Sequence, residues 1–286
     1  MTRCQLTGRY LGCALLLAAL WALTPAWAQQ PNDRDRVAQE MRSLAWQHGP
    51  TDGRIGTTAT IKVEEGQAFL DAPNTRRFLE LTRNPPRENH YTLMSGPSGW
   101  FAIFSFEDSG YVKDDEKLDA DALLKSIQES EKGSNEERKR LGMPTLHAAS
   151  WHVPPHYDAG TKHLEWGLRL ERDSGGAVVN YTIRILGRRG VMHVTLVSDP
   201  ATLDRDIAQF KRNLAAYSFT AGERYSEFRS GDRVAEYGLA ALVLGGAAVV
   251  ATKTGFFKVI GKFLIFGLIA FGGAVAALFR KYFRRR

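Results

Sequence analysis

The chain has 286 residues, 38 Lys and Arg against 31 Asp and Glu, a formal charge of +7, and only two cysteines. Ten of the cations lie in two acid-free apolar ends, residues 1–28 and 251–286; the remainder holds 28 cations against 31 acids, about −3, which removes nucleic-acid binding as the meaning of the basic total. Cys4 and Cys13 both fall in the first end, so the chain beyond it has no thiol for a disulfide framework, a nucleophile or a thiolate metal site.

In chain order, a short basic start (Arg3, Arg9), an apolar run at Leu11–Leu20 and the small-residue site Ala26-Trp27-Ala28 predict a secretory signal over 1–28. The run is too short for a spanning helix, which needs about 20 apolar residues. Residues 29–54 read as a polar lead-in with an amphipathic helix around Arg34–Trp46. The extracytoplasmic domain is predicted over 55–220 and opens with a strand at Thr57–Val63. Glu64-Glu65-Gly66 turns into a short apolar run, Gln67–Leu70. A helix follows, with Asp71 before its first turn, Pro73 within it, an apolar face of Phe78, Leu79 and Leu81, and a stop at Asn84-Pro85-Pro86. Tyr91–Met94 and Trp100–Phe106 pair as strands around Ser95–Gly99. Asp119–Ile127 begins another helix; its charged continuation, Glu129–Arg140, is interrupted at Gly133 and restarts with a capping box of Ser134 and Glu137.

The clearest pattern runs from His163 to Ser218. Leu164, Trp166, Leu168 and Leu170 alternate with Glu165, Gly167, Arg169 and Glu171, the period of a half-buried strand. Asp173–Gly176 turns into a strand with Val179, Tyr181, Ile183 and Ile185 on one face, and Gly187–Gly190 turns into Val191–Val197. Asp199-Pro200 then starts a helix striped by Leu203, Ile207, Phe210 and Leu214. A β-meander closed by a helix implies an α+β domain, an antiparallel sheet with helices packed on one face.

Residues 221–237 read as a juxtamembrane connector, 238–279 as an apolar membrane region and 280–286 as a basic cytoplasmic tail. The charge pattern favours one transmembrane helix over about 256–279, preceded by an interfacial or buried Ala/Gly helix; a two-span hairpin is the alternative. Ala270 with Ala274, and Gly273 with Ala277, give the small-residue spacing that allows a homo-oligomer through the membrane helix.

Site motifs are sparse. Asp114 and Asp115 stand in a run of acids, but the EF-hand order is absent and Asp119 reads as a helix cap. His152 and His156 are metal-ligand candidates with His163 nearby; Pro154-Pro155 forbids the helix that would align them, so they read as histidines of a turn-rich loop. His193 and His90 read as ordinary edge residues of strands, and Ser98 as part of a hairpin turn. Trp100, Phe101, Phe104, Phe106 and Trp151 read as core before groove. The Gly187–Gly190 loop lacks a dinucleotide fingerprint, so no cofactor is expected, and no catalytic residue can be named.

Gly99–Ala102, Gly110–Asp115, Asn180–Gly190 and Ala235–Ala241 together resemble a bacterial family of uncharacterised membrane-anchored proteins, domain of unknown function 2167. The resemblance extends from about Ile55 into the C-terminal apolar region. It implies a signal, an extracytoplasmic domain and a C-terminal membrane segment, and brings no activity or catalytic residue. The sequence therefore predicts an inner-membrane protein with its bulk in the periplasm. Its expected partners are the lipid bilayer and a membrane or envelope protein, with no nucleic acid. A non-catalytic binding or scaffolding role leads; a tethered hydrolase or metal-dependent enzyme and an accessory subunit of a transporter or channel assembly are the alternatives.

Overall fold

Alternating apolar strands account for most of the architecture, seen here in a computed structural model that describes residues 33–245 other than 83, 85, 97, 141–144 and 174. The chain divides into two units after Val37. The first unit contributes only the opening of helix α1 (Asp33–Ser43), and all other described elements belong to the second. They are β1 (Gln47–His48), β2 (Thr51–Ile55), β3 (Ala59–Val63), β4 (Gln67–Leu70), α2 (Ala72–Leu81), β5 (His90–Ser95), β6 (Phe101–Glu107) and α3 (Ala120–Arg140). Next come β7 (Leu146–Asp158), β8 (His163–Arg172), β9 (Ala177–Leu186), β10 (Val191–Val197), α4 (Leu203–Leu214), β11 (Ser218–Phe219), a 3-10 turn at Tyr225–Glu227 and α5 (Leu239–Leu244).

Eight strands form one antiparallel sheet in the order β1-β4-β5-β6-β10-β9-β8-β7, and β11-β3-β2 form a second, smaller sheet. The α+β class with a large antiparallel sheet is as predicted; the placement of all helices on one face is not. Residues Ala102, Phe104, Tyr181, Ile183, Ile185, Met192, Val194 and Leu196 form the front face, and α4 and the small sheet cover them through Leu203, Phe210, Leu214, Ile61 and Phe219. The back face is divided. Phe78 and Leu79 of α2 cover Met94, Phe101, Ile103 and Val197. Leu123 of α3 and Leu239, Leu242 and Val243 of α5 cover Leu164, Trp166, Leu168 and Leu170. The strands carry apolar residues on both faces, so both must be covered. Gly53 allows the small sheet to approach closely, since a Cβ there would lie 2.7 Å from the Phe69 ring.

Local chemistry explains most element boundaries. Asp71 caps α2, its carboxylate accepting the Asn74 N–H at 3.1 Å, with proline in the first turn. Asp119 caps α3 by accepting the Ala122 N–H at 3.0 Å. No break occurs at Gly133: α3 runs unbroken to Arg140 because its side chains bind the outer edge of β7. The Asn135 amide donates to Leu146 O at 2.8 Å and accepts the Leu146 N–H at 3.0 Å, while Gln128 donates to Ala148 O at 2.9 Å and Glu131 accepts the Ala148 N–H.

Three further expectations need correction. The lead-in at 29–54 contains two strands, β1 and β2, and β2 pairs with β3 along its whole length. The predicted histidine loop is part of the edge strand β7, where the prolines remove donors an edge does not need and the register shifts at three points. The predicted connector is tied back to the domain: Tyr225 donates to Val112 O at 2.8 Å, Arg188 grips Asp232 at 2.7 and 2.8 Å, and Val234 bridges Tyr111.

Among the described residues no helix is long and apolar enough to cross a membrane. The predicted signal, the favoured span, its small-residue pairs and the basic tail lie outside the described residues. The start of the predicted membrane region is described as α5, a buried helix of the domain core. Glu116 stands in for its cap, accepting the Ala240 N–H at 3.0 Å.

Candidate functional site

Strand register on the back face assembles a row of polar side chains in the gap between α2 on one side and α3 with α5 on the other. His90 of β5 pairs with Ser105 of β6, Ser105 with His193 of β10, and His193 with Arg184 of β9. The adjacent row reads Thr92, Ile103, Thr195, Thr182 and Trp166. The expectation that His193 is an edge residue fails, because β10 lies at the centre of the eight strands. Its side chain is 23% exposed and that of its neighbour Glu107 32%, so solvent reaches this part of the floor.

Glu107 is the hinge of the cluster. Its Oε2 lies 2.9 Å from His193 Nε2, and its Oε1 accepts the Tyr237 hydroxyl at 2.8 Å. Burial would raise its proton affinity, but His193, Tyr237 and Arg184 outweigh burial and hold it below the usual carboxylate range. Burial, with the charge of Arg184, pushes His193 down to about 4, so the ring is neutral at physiological pH. Burial also lowers His90.

Arg184 is the unusual member. Burial pulls its guanidinium down to about 10 against the pull of Glu107 and Tyr237, so it stays charged at neutral pH. Its carbon lies 5.2 Å over the Trp166 ring, and Nη1 makes one long bond, 3.3 Å, to the Ile183 carbonyl. Among the described residues its buried Nε–H has no acceptor, and neither has Nδ2 of Asn180 on the same strand face. Each buried donor without an acceptor costs about 1–3 kcal/mol. Asn180 lies beside Leu168, under α3 and α5, whereas the Arg184 donor adjoins the partly open His193 and Glu107 and suits a surface that receives a hydrogen-bond acceptor from outside.

The metal-ligand candidates are not brought together. Asp114 accepts the Tyr157 hydroxyl at 2.7 Å and Lys162 Nζ at 3.0 Å, and Asp115 is exposed. His152 meets Asp204 of α4 at 2.7 Å, and His156 meets Glu165 at 2.7 Å. Among the described residues no three His, Cys, Asp or Glu side chains converge as metal ligands do. Glu165, 7% exposed, forms a second polar cluster on the front face, where Lys211 Nζ donates to it at 2.5 Å and the Tyr181 hydroxyl also donates. Ser98 donates to Gln209 at 2.5 Å, a bond that fastens the β5–β6 turn to α4. Trp100, Phe101 and Phe104 are core, as expected. One sign of the back-face row is present in the sequence: Asn180, Thr182, Arg184, His193 and Thr195 interrupt two mostly apolar neighbouring strands.

The family described as protein of unknown function (DUF2167) matches residues 47–277. No curated protein matches the sequence. Among solved structures, the solution structure of cyanobacterial PsbP (CyanoP) from Synechocystis sp. PCC 6803 is similar over 56% of this chain and 86% of that chain, at 8% identity and a TM-score of 0.35. So slight a likeness carries no functional argument.

Proposed function

The chain belongs to the family of unknown function DUF2167, and on that premise we propose that it is a membrane-anchored module on the periplasmic side that binds a membrane or envelope partner without catalysing a reaction. The signal-like start, the apolar region continuing past α5 and the basic end support the placement. The observation that carries the binding role is the half-open polar floor on the back face, with the buried Nε–H of Arg184 unanswered among the described residues. A tethered metal-dependent enzyme using Asp114 and Asp115 gains no support, since Asp114 is engaged by Tyr157 and Lys162 and the candidate histidines face other carboxylates.

Site-specific photocrosslinking of the full chain in its native membranes tests this reading. A photoreactive side chain at Thr195, on the floor, is expected to capture a discrete partner, and one at exposed Lys62 on the small sheet is not. Adducts from Lys62 with none from Thr195 would sink the assignment of the back face as the recognition surface.

A further inference from the structure

We infer that Arg184 seats a carboxylate group of the bound partner, its Nε–H and a terminal N–H forming the two-pronged contact while Trp166 backs the guanidinium plane. The inference rests on the reading of the back face as a binding surface and adds the chemistry of what it receives.

The neighbouring arginines supply the contrast. Arg188 closes a fork on Asp232 through Nε and Nη2 at 2.7 and 2.8 Å, and Arg189 grips Glu223 through Nε and Nη2. Among the described residues Arg184, on an interior strand where a cation is hardest to keep, makes the 3.3 Å bond to Ile183 alone and leaves Nε–H buried without an acceptor. Glu107 does not fill that role, because its oxygens face His193 and Tyr237. An external acceptor completes the fork that the chain completes internally at Arg188.

Charge selects the class of acceptor. Arg184 contributes one positive charge, Glu107 one negative charge, and His193 is neutral at physiological pH. The three together are neutral, so an entering anion adds to the charge of Glu107 and the least charged one is opposed least; the planar pair of carboxylate oxygens also matches the guanidinium edge, as it does at Arg188 and Arg189. A doubly charged phosphate would be placed against Glu107 with Arg184 alone to offset it, since Arg87 stands beside His90 at the opposite end of the row.

The test reads the arginine Nε–H signals of the full chain in detergent micelles by proton–nitrogen NMR, with Arg184→Lys assigning the signal. Sodium acetate is titrated against inorganic phosphate and sodium chloride at matched ionic strength. The expected result is a saturable shift of the Arg184 Nε–H and Trp166 indole N–H with acetate, weaker with phosphate and absent with chloride. Arg184→Lys should weaken the acetate response at Trp166 at least tenfold. An unresponsive Nε–H, or tighter binding of phosphate than acetate, overturns the carboxylate assignment. If Thr195 still captures a partner in that event, the binding role survives and only the ligand class falls; loss of both results removes both.

Discussion

Leu242→Ala asks whether α5 belongs to the domain or to the bilayer. Leu242 is 1% exposed, with Leu239 at 0% and Val243 at 7%, in the cluster that holds Trp166, Leu168 and Leu123. Removing three carbons forfeits about 0.8 kcal/mol each, about 2.4 kcal/mol together. The unfilled cavity raises the loss to about 3–4 kcal/mol, within the usual range for leucine truncation. For a domain of this size each kcal/mol moves the melting temperature by about 2–4 °C, so the variant should melt about 6–16 °C below the parent. The assay is thermal unfolding of the full chain in detergent followed by near-ultraviolet circular dichroism, which reports Trp166 and Tyr225 in the same cluster. Phe228→Ala is the companion: at 38% exposed, with a ring contact to Tyr111, it should cost about 0.5–1.5 kcal/mol, well below Leu242→Ala. A Leu242→Ala melt within about 2 °C of the parent would refute the packing of α5 and return the segment to the membrane region.

Other consequences are open to measurement. His193 is held down to about 4, from 6.5, so the unfolded chain takes up the proton first and stability falls as pH drops through that interval, by roughly 2–4 kcal/mol. His193→Gln should flatten the dependence of the urea midpoint on pH over that range, and an unchanged slope would show that the ring does not set it. Glu165 is buried, which raises its proton affinity, but Lys211, Tyr181 and His156 more than compensate and hold it below the carboxylate range. Its stabilising contribution is present above its unfolded pKa and lost as pH falls through the folded one. Lys211→Met should therefore move acid unfolding to higher pH, followed by tryptophan fluorescence; coincident curves would refute the coupling. Asp119→Ala removes the α3 cap and should lower the unfolding free energy by about 1 kcal/mol in urea titration, with no loss excluding a capping role. A reporter fused after Arg286 should be active only in a cytoplasmic orientation, and periplasmic activity would overturn the single span.

The legible parts of the chain are those whose period survives in the sequence. Strands β8, β9 and β10, the β5–β6 pair, α2 and α4 all carry clean alternation or a clean stripe between turn residues. β7 is hidden because its register shifts at three points, each reversing which residues face inward, and because Pro154-Pro155 speaks for a break. Gly133 signals a helix stop locally, a preference that the contacts of Asn135 and Gln128 with β7 override. The back-face row is illegible for another reason. His90, Ser105, Arg184 and His193 come from four strands, and only the sheet order places them side by side. Nor does hydropathy reveal that Leu239–Leu244 packs against α3, a contact made only in the tertiary structure.

The attachment of α3 to β7 bears on how copies of this protein meet when crowded. Strand-by-strand polymerisation requires a vacant ladder, and at Leu146 and Ala148 the outward rungs are already answered by Asn135, Gln128 and Glu131, which act as a short imitation of a ninth strand. Farther along, Pro154 and Pro155 have no N–H to offer a template. The opposite margin is β1, two residues long. The sheet is thus blocked chemically at one margin and cut short at the other, so chains concentrated on a surface can meet side chain to side chain while edge-to-edge zippering finds little purchase.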